Sequence, residues 1–509
     1  MGGGARLVAA GILLSRIFGL VRQRVTAHFL GTGLVADALA AAFRIPNMLQ
    51  NLFGEGVLSA SFIPVYSRLL AEGKRDEAGR VAGAVLSLLA LATAVAVLLG
   101  VLTAPWLVAL IAGGFDAPTQ ALTTQLVRII FPGIGVLVLS AWCLGVLNSH
   151  RRFFLSYVSP VLWNVAIIAA LLIAGPAQRA EQLVVTVAWA SVLGSLLQFG
   201  IQLPTVWRLD RTIRLGAAVR SVGVRTVVGN FGTVLMGRGV VQVSAFVDTL
   251  IASLIGAGAL ATLNYAQAIS VLPVSLFGMA VSAAELPAMS GERGTEAAIA
   301  AALRARLDRG LERIAYFVIP SAAAFLLIGG VLAAGLYEGG AFTREDSQWV
   351  WGALAGAAVG LLAATMGRLY ASASYSLGDT RTPLRFAVVR VLLGGTLGWG
   401  AALWIPRAMG VDARWGVAAL TAASGAAAWV EFLLLRRAIS ARVGRSGVPP
   451  RRVLALWACA LAAGAAGVLT TRLMAEQSAL VTALVVVPVF GVVYLGATRL
   501  FGVDHARRA

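Results

Sequence analysis

An all-α, polytopic membrane bundle is the fold class this sequence predicts, and three observations predict it. Hydrophobic residues make up 59% of the 509 positions and charged residues only 12%, too little polar material to clothe a soluble globule. Apolar windows of about 20 residues, the length that crosses a hydrocarbon core about 30 Å thick, recur from end to end between short polar breaks. Basic residues crowd into alternate breaks, the bias that marks the inner side of a membrane protein.

Fourteen spans are predicted, at 7–30, 34–66, 81–112, 121–147, 154–175, 182–206, 226–255, 259–287, 314–337, 348–376, 384–406, 413–435, 453–471 and 478–501. The first is too long and too interrupted by arginine for a cleavable signal peptide, and no A-x-A-like site follows it, so it is expected to remain as a helix. With the N-terminus inside, the inner segments hold 28 of the 41 Lys+Arg residues. The outer loops hold only Arg179, Arg344, Arg407, Arg414 and Arg472. Both termini are therefore expected in the cytoplasm.

The same distribution accounts for the net charge of +19, which in a soluble protein would suggest nucleic-acid binding; here it is topology, and no nucleic acid is expected. Lys74 is the chain's lysine, so the preference for arginine carries no message about phosphate. Cys143 and Cys459 fall in different apolar segments and His28, His150 and His505 are scattered, so no metal-spaced set exists. No Ser/His/Asp set, paired outer-loop carboxylates or Gly-rich nucleotide loop can be assembled. An enzyme is not expected, nor a bound cofactor.

Internal repetition organises the spans. Phe29-Leu30-Gly31-Thr32-Gly33 is echoed by Leu254-Ile255-Gly256-Ala257-Gly258, and Leu52-Phe53-Gly54 with Val57 and Ala60 by Leu276-Phe277-Gly278 with Val281 and Ala284. Six spans separate the copies, an even number, so the halves share one orientation, as in transporters that rock two bundles about a central site. The expected organisation is an N-terminal lobe over 1–220, a second lobe over 221–440, and two extra spans over 441–509.

Eight arginines lie within spans: Arg16, Arg22, Arg24, Arg44, Arg128, Arg238, Arg368 and Arg390. An ionised group at the bilayer centre costs about 2.5 to 3.5 kcal/mol on insertion scales, so such residues face cavities or partners. In the first span Arg16 and Arg22 lie about 120° apart on an ideal helix; a kink at Gly19 would bring them together, and Arg24 is placed to snorkel to the interface. In the second span Asp37, Arg44 and Glu55 fall within about 20° of one line on a straight helix, a charged stripe suited to a wet cavity or to interhelix ion pairs. Pro46, Gly54 and Gly56 are positioned to bend it. A cationic cavity implies an anionic cargo.

The run Ser15-Arg16-Ile17-Phe18-Gly19-Leu20-Val21-Arg22, followed by Ala36-Asp37-Ala38, Phe43-Arg44-Ile45-Pro46-Asn47, Phe53-Gly54-Glu55-Gly56 and Ser61-Phe62-Ile63-Pro64-Val65, resembles the N-terminal signature of the MurJ (MviN) lipid II flippases of the MOP transporter superfamily. The likeness resumes at Phe246-Val247-Asp248-Thr249-Leu250 and Tyr265-Ala266, and again from Tyr375 to Pro383 through Gly378-Asp379-Thr380-Arg381. It implies transport without bond chemistry: a diphosphate-sugar-pentapeptide head group on an undecaprenyl chain is bound at the inner face and released outside by a monomeric transporter. By that resemblance Arg16 and Arg22 match cavity arginines, and Asp37, Arg44, Asn47 and Glu55 match polar residues of the second helix. Coupling to the membrane potential, and in some members to Na+, is implied, with Asp248 and Asp379 at positions associated with an ion site. Asp379 also reads as an ordinary turn before a helix start.

Three departures stand out. A third cavity arginine expected in the eighth span is absent, the chain reading Tyr265-Ala266-Gln267-Ala268. Gln50 and Asn51 replace a basic pair, and Gln23 an acidic residue. Arg238, near the pseudo-repeat position of Arg16, is a candidate to supply the lost charge. Two other classes fit less well. An exporter of another polyprenyl-linked glycan or of a drug shares the fold, but cationic-drug exporters favour cavity carboxylates. A polytopic glycosyltransferase needs a large outer loop, and that around Gly339 to Gln348 is short.

Overall fold

The computed structural model describes residues 3–503 apart from 217–220, 280, 283–284, 286–288 and 290–294, and the side chains of 3–10, 12, 233–241, 279 and 296 also lie outside the described set. Among the described residues the chain is helical, with no strand beyond an isolated bridge between Gly339 and Phe342. Eleven helices among the described residues are long and apolar enough to cross a membrane. Hydrocarbon favours this architecture because a helix satisfies its backbone polar groups within one segment. Packing divides the chain into two compact units, Met1–Leu250 and Ile251–Ala509.

The first unit is built from α1 (Gly3–Leu30), α2 (Leu34–Phe53), α3 (Glu55–Ala71), α4 (Arg75–Leu102), α5 (Ala104–Ile111), α6 (Ala117–Ser149), α7 (Phe153–Ala174), α8 (Ala180–Leu209) and most of α9 (Val222–Ile255). Its central helix is α6, which packs on α2, α3, α4, α7 and α8. The α6 residue Trp142 is buried and donates its indole N–H to the Ala82 carbonyl at 3.1 Å. At one end of the unit the Tyr66 hydroxyl donates to Asp210 at 2.8 Å and lies 3.0 Å from His150 Nε2.

In the first unit two of the predicted spans are each two helices. The 34–66 segment breaks at Gly54, whose backbone is extended (φ −87°, ψ −154°) between α2 and α3. Gly54 N–H still reaches the Gln50 carbonyl at 2.8 Å, and its own carbonyl accepts from Val57 and Leu58. A Cβ here would sit 2.2 Å from the Gln50 oxygen, so the close approach requires glycine. Pro46, by contrast, is carried inside α2. The 81–112 segment breaks at Thr103 because Pro105 has no N–H to give to the carbonyl four residues earlier. That carbonyl, of Val101, instead accepts from Arg128 Nε at 3.4 Å, which gives this intramembrane arginine a structural task.

The second unit continues with α10 (Ala259–Pro273) and a π-helical stretch, Val274–Met279. It is completed by α11 (Glu296–Leu327), α12 (Gly329–Tyr337), α13 (Arg344–Ser376), α14 (Arg381–Met409), a 3-10 turn at Ala413–Trp415, α15 (Gly416–Val443), α16 (Pro450–Leu473) and α17 (Ala479–Leu500). Its central helix α13 begins with a capping box in which the Thr343 side chain accepts from Asp346 N–H and the Asp346 carboxylate accepts from Thr343 N–H. The backbones of α13 and α15 meet at Gly360 and Gly425, where a Cβ on the first would lie 2.2 Å from the second's Cα. The α11–α12 break at Ile328 leaves the Leu326 carbonyl to Trp351, whose indole N–H donates to it at 3.1 Å. Tyr494 of α17 donates to the Tyr316 carbonyl at 2.6 Å, tying the last helix to α11. Cys143 and Cys459 are buried free thiols.

The order of elements recurs at a nearly fixed offset. α1 and α9 end 225 residues apart, α5 and α12 begin 225 apart, and the two 33-residue helices α6 and α13 begin 227 apart. Each of those two is the most buried spanning helix described in its unit.

Gly54→Ala is expected to destabilise the chain by about 1–3 kcal/mol, the usual cost of forcing a carbon into filled space. Gly33→Ala is the control, since nothing lies within 4 Å of a Cβ there. Thermal unfolding of the purified variants checks this: the midpoint falls for Gly54→Ala and stays near the parent's for Gly33→Ala.

Candidate functional site

Polar side chains of α1, α2, α3, α6, α7 and α8 converge on a cavity of about 690 Å³ within the first unit. One wall is a polar row from α2 and α3. Asn47, Asn51, Glu55 and Ser59 all line the cavity, and their four-residue spacing keeps them on one side. The row continues across the Gly54 break. Glu55 falls in the first turn of α3, where a carboxylate is favoured by the helix dipole. Asn51 also donates to Gln242 of α9 at 3.3 Å.

The cation of the cavity is Arg22. Its Nε–H donates to Asn164 Oδ1 at 2.9 Å, and its guanidinium carbon stands 5.1 Å from the centre of the Trp163 ring. Asn164 is held in turn by a 3.1 Å bond from its Nδ2 to the Pro160 carbonyl. An amide at the edge and an indole against the face fix a planar guanidinium in direction as well as position. Behind it lies a buried relay of small polar groups: Gln198 donates to Ser140 at 3.1 Å, Ser140 to Gln202 at 2.9 Å, and Gln202 to Ser159. Gln202 is fully buried and Gln198 nearly so, so the relay satisfies amides that would otherwise be costly in an apolar interior.

The structure gathers Arg22, Asn47 and Glu55 and leaves the other expected residues elsewhere. α1 is a continuous helix through Gly19. Arg16 is exposed and does not line this cavity. The straight charged stripe of the second span is interrupted because Gly54 ends α2 before Glu55. Asp37 is fully buried in the first turn of α2. Arg44 is half-buried in α2, and Asp248 of α9 is the carboxylate whose charge acts on it. Arg238 falls on α9, and its side chain lies outside the described residues. In the second unit Ala268 lies on α10. Asp379 accepts from Thr382 N–H at 3.0 Å and from the Thr382 hydroxyl at 2.8 Å, and pairs with Arg442 at 2.9 Å. The Thr382 backbone N–H, then its hydroxyl and the Arg442 charge, hold the Asp379 carboxyl below the usual carboxylate range.

Sequence reasoning missed Trp163, Asn164, Ser140 and Gln198. The available signals were the amides at 164, 198 and 202 inside otherwise apolar spans, and the four-residue row from Asn47 to Ser59. Gln50 and Asn51 were noticed only as departures from a family pattern, yet both line the cavity.

Comparison with known proteins places these features. The family described as "Lipid II flippase MurJ" matches residues 26–492. The lipid II flippase MurJ of Burkholderia cenocepacia is 33% identical over 74% of this chain and 73% of its own length. The probable lipid II flippase MurJ of Vibrio cholerae is 28% identical over 94% of this chain and 89% of its own. Among solved structures, a lipid II flippase MurJ in an inward closed conformation superposes with a TM-score of 0.78 at 21% identity, covering 97% of this chain and 98% of that one. An inward-facing multidrug resistance MATE family transporter of the MOP superfamily superposes with a TM-score of 0.63 at 16% identity over 84% of this chain and 95% of that one. At these identities the two superpositions speak for the fold. From the match along most of its length, this chain belongs to the lipid II flippase MurJ family.

Proposed function

We propose that this chain carries lipid II from the inner to the outer leaflet by alternating access, with Arg22 binding the diphosphate. The observation that carries the reading is the guanidinium held by Asn164 and Trp163 at the wall of a cavity of about 690 Å³. A diphosphate is a compact anion with oxygens in several directions, and a guanidinium fixed in orientation can bind it through charge-assisted hydrogen bonds. Asn47, Gln50, Asn51 and Glu55 suit the hydroxyl, amide and ammonium groups of a sugar-peptide. The transporter is proposed to act as a monomer.

The proposed topology has fourteen spans, both termini in the cytoplasm, and two parallel six-span lobes, 1–220 and 221–440, followed by two helices. The clustering of basic residues and the recurrence of elements at 225 to 227 residues support it. Coupling is assigned to Asp248, supported by the influence of its charge on Arg44; a cation such as Na+, or the membrane potential, would shift that balance as substrate arrives. Asp379 is assigned the start of α14, because Thr382 and Arg442 already engage its oxygens. Arg16 and Arg238 are proposed to meet substrate at another stage of the cycle.

In a host depleted of its own flippase, the chain should prevent lysis and inner-leaflet precursor accumulation. Arg22→Ala should weaken precursor binding on the order of 10- to 100-fold, the scale of one or two lost charge-assisted hydrogen bonds, and fail to rescue. Asn164→Leu should be impaired in the same assay while folding normally; full rescue by either variant would remove Arg22 from the mechanism.

Arg238→Ala and Arg16→Ala test the compensation for Ala268. Both should lower transport in reconstituted vesicles; undiminished transport by Arg238→Ala alone, with Arg16→Ala inactive, would end that idea.

Asp248→Asn should abolish the dependence of transport on an imposed ion gradient or potential, and Asp379→Asn should leave that dependence in place while lowering thermal stability. The sign with pH follows from the lowered carboxyl: the stability that Asp379 contributes is complete above the ordinary aspartate value and is lost as pH falls through its depressed one. Thermal midpoints of parent and Asp379→Asn should therefore converge in acid; a constant gap across pH would contradict the assignment.

A further inference from the structure

A second cavity, of about 540 Å³, opens in the second unit where the α12–α13 and α16–α17 connections meet. Its polar side carries Glu338, Arg344 and Arg472, and its other side is apolar, with Leu327 and Val468 beside the Trp351 ring. Trp351 is fixed by its bond to the Leu326 carbonyl. None of the three charged groups is held in an ion pair among the described residues. Nearby Arg414 is engaged, stacking 4.9 Å from the Trp349 ring centre and pairing with Asp412 at 3.6 Å and Glu345 at 4.0 Å. Two cations and an anion thus face one cavity without neutralising one another. Leu469, Leu473 and Leu480, each next in sequence to the lining residues Val468, Arg472 and Ala479, are exposed, Leu473 by 79%.

We propose that this cavity binds the head group of an amine-bearing phospholipid, its phosphate on Arg344 and Arg472 and its ammonium on Glu338. Arginine is the side chain best matched to phosphate oxygens, and a carboxylate set apart from the two guanidinia answers a zwitterion better than a simple anion. The amphipathic Trp351 ring is of the kind that settles at the depth of lipid head groups. The exposed leucines continue the site into hydrocarbon, where acyl chains would lie. A soluble phosphate would make no use of that apolar side. The leaflet follows from the topology proposed above, which places Arg344 and Arg472 outside; the binding itself does not depend on it.

Native mass spectrometry of the full chain, titrated with phosphatidylethanolamine, phosphatidylglycerol, undecaprenyl phosphate and inorganic phosphate, tests the assignment. Phosphatidylethanolamine should be retained in preference to phosphatidylglycerol. The double variant Arg344→Gln/Arg472→Gln should lower its retention on the order of tenfold, the scale of one or two charge-assisted hydrogen bonds. Glu338→Gln should erase the preference between the two lipids, and Arg414→Gln should change neither. Unaltered retention by the double variant, or an unaltered preference in Glu338→Gln, would overturn the proposal. Displacement of phosphatidylethanolamine by undecaprenyl phosphate would overturn it in favour of a carrier-lipid site, and inorganic phosphate competing as well as lipid would reduce it to an ion site. The readout is blind to orientation, so its failure is distinct from a failure of the transport reading, which the Arg22 variants decide.

Discussion

In a hydrocarbon solvent every polar group must find its partner inside the protein, and that constraint governs this structure from backbone to cavity. Where helices run on, the backbone satisfies itself. Where they break, a side chain completes the pairing: Arg128 for the Val101 carbonyl freed by Pro105, and Trp351 for the Leu326 carbonyl freed at Ile328. The breaks are therefore places where the membrane's demand is met by an imported donor. The Gly54 break meets it locally, since the Gln50 and Gly54 carbonyls are both used by neighbouring backbone N–H groups.

The same rule shapes the cavity of the first unit. A polar row on α2 and α3 could not face lipid, and it turns instead to a space it shares with Arg22 and Asn164. Breaking the helix at Gly54 puts Glu55 at a helix start while leaving it in register with Asn47 and Asn51. A carboxylate there is steadied by the exposed N–H groups of the first turn of α3. The cavity thereby presents a cation from α1 and an anion from α3 on its walls, as a large head group that bears both charges would require.

The membrane class and the long helices were legible in the sequence because length and apolarity are local properties. The breaks were less so. Pro105 and Gly54 are visible as letters, but Pro46 and Pro64 are also visible and sit inside continuous helices, because the cost of a missing N–H depends on what can replace it nearby. Arg22 was legible as a cavity residue, whereas its partners were not: Asn164 and Trp163 lie 142 and 141 positions away, and only folding brings them together. The family resemblance points to Arg16 as strongly as to Arg22, and to Asp379 as a position that also reads as an ordinary turn. The local geometry separates them, placing Arg16 at an exposed position on the same helix and Asp379 at a helix start.

A distinction between structural and functional intramembrane arginines follows from how each guanidinium is engaged. Arg128 gives its Nε–H to a backbone carbonyl that has no other donor, and Arg390 pairs with Glu431 at 3.1 Å; in both, the partner is a group the fold itself must neutralise. Arg22 gives its Nε–H to a neutral side-chain amide that is itself already held. A guanidinium oriented at a cavity wall by a preorganised amide differs in this from those that the helices use to close their own backbone or charges, and that difference supports the anion-binding role proposed for Arg22.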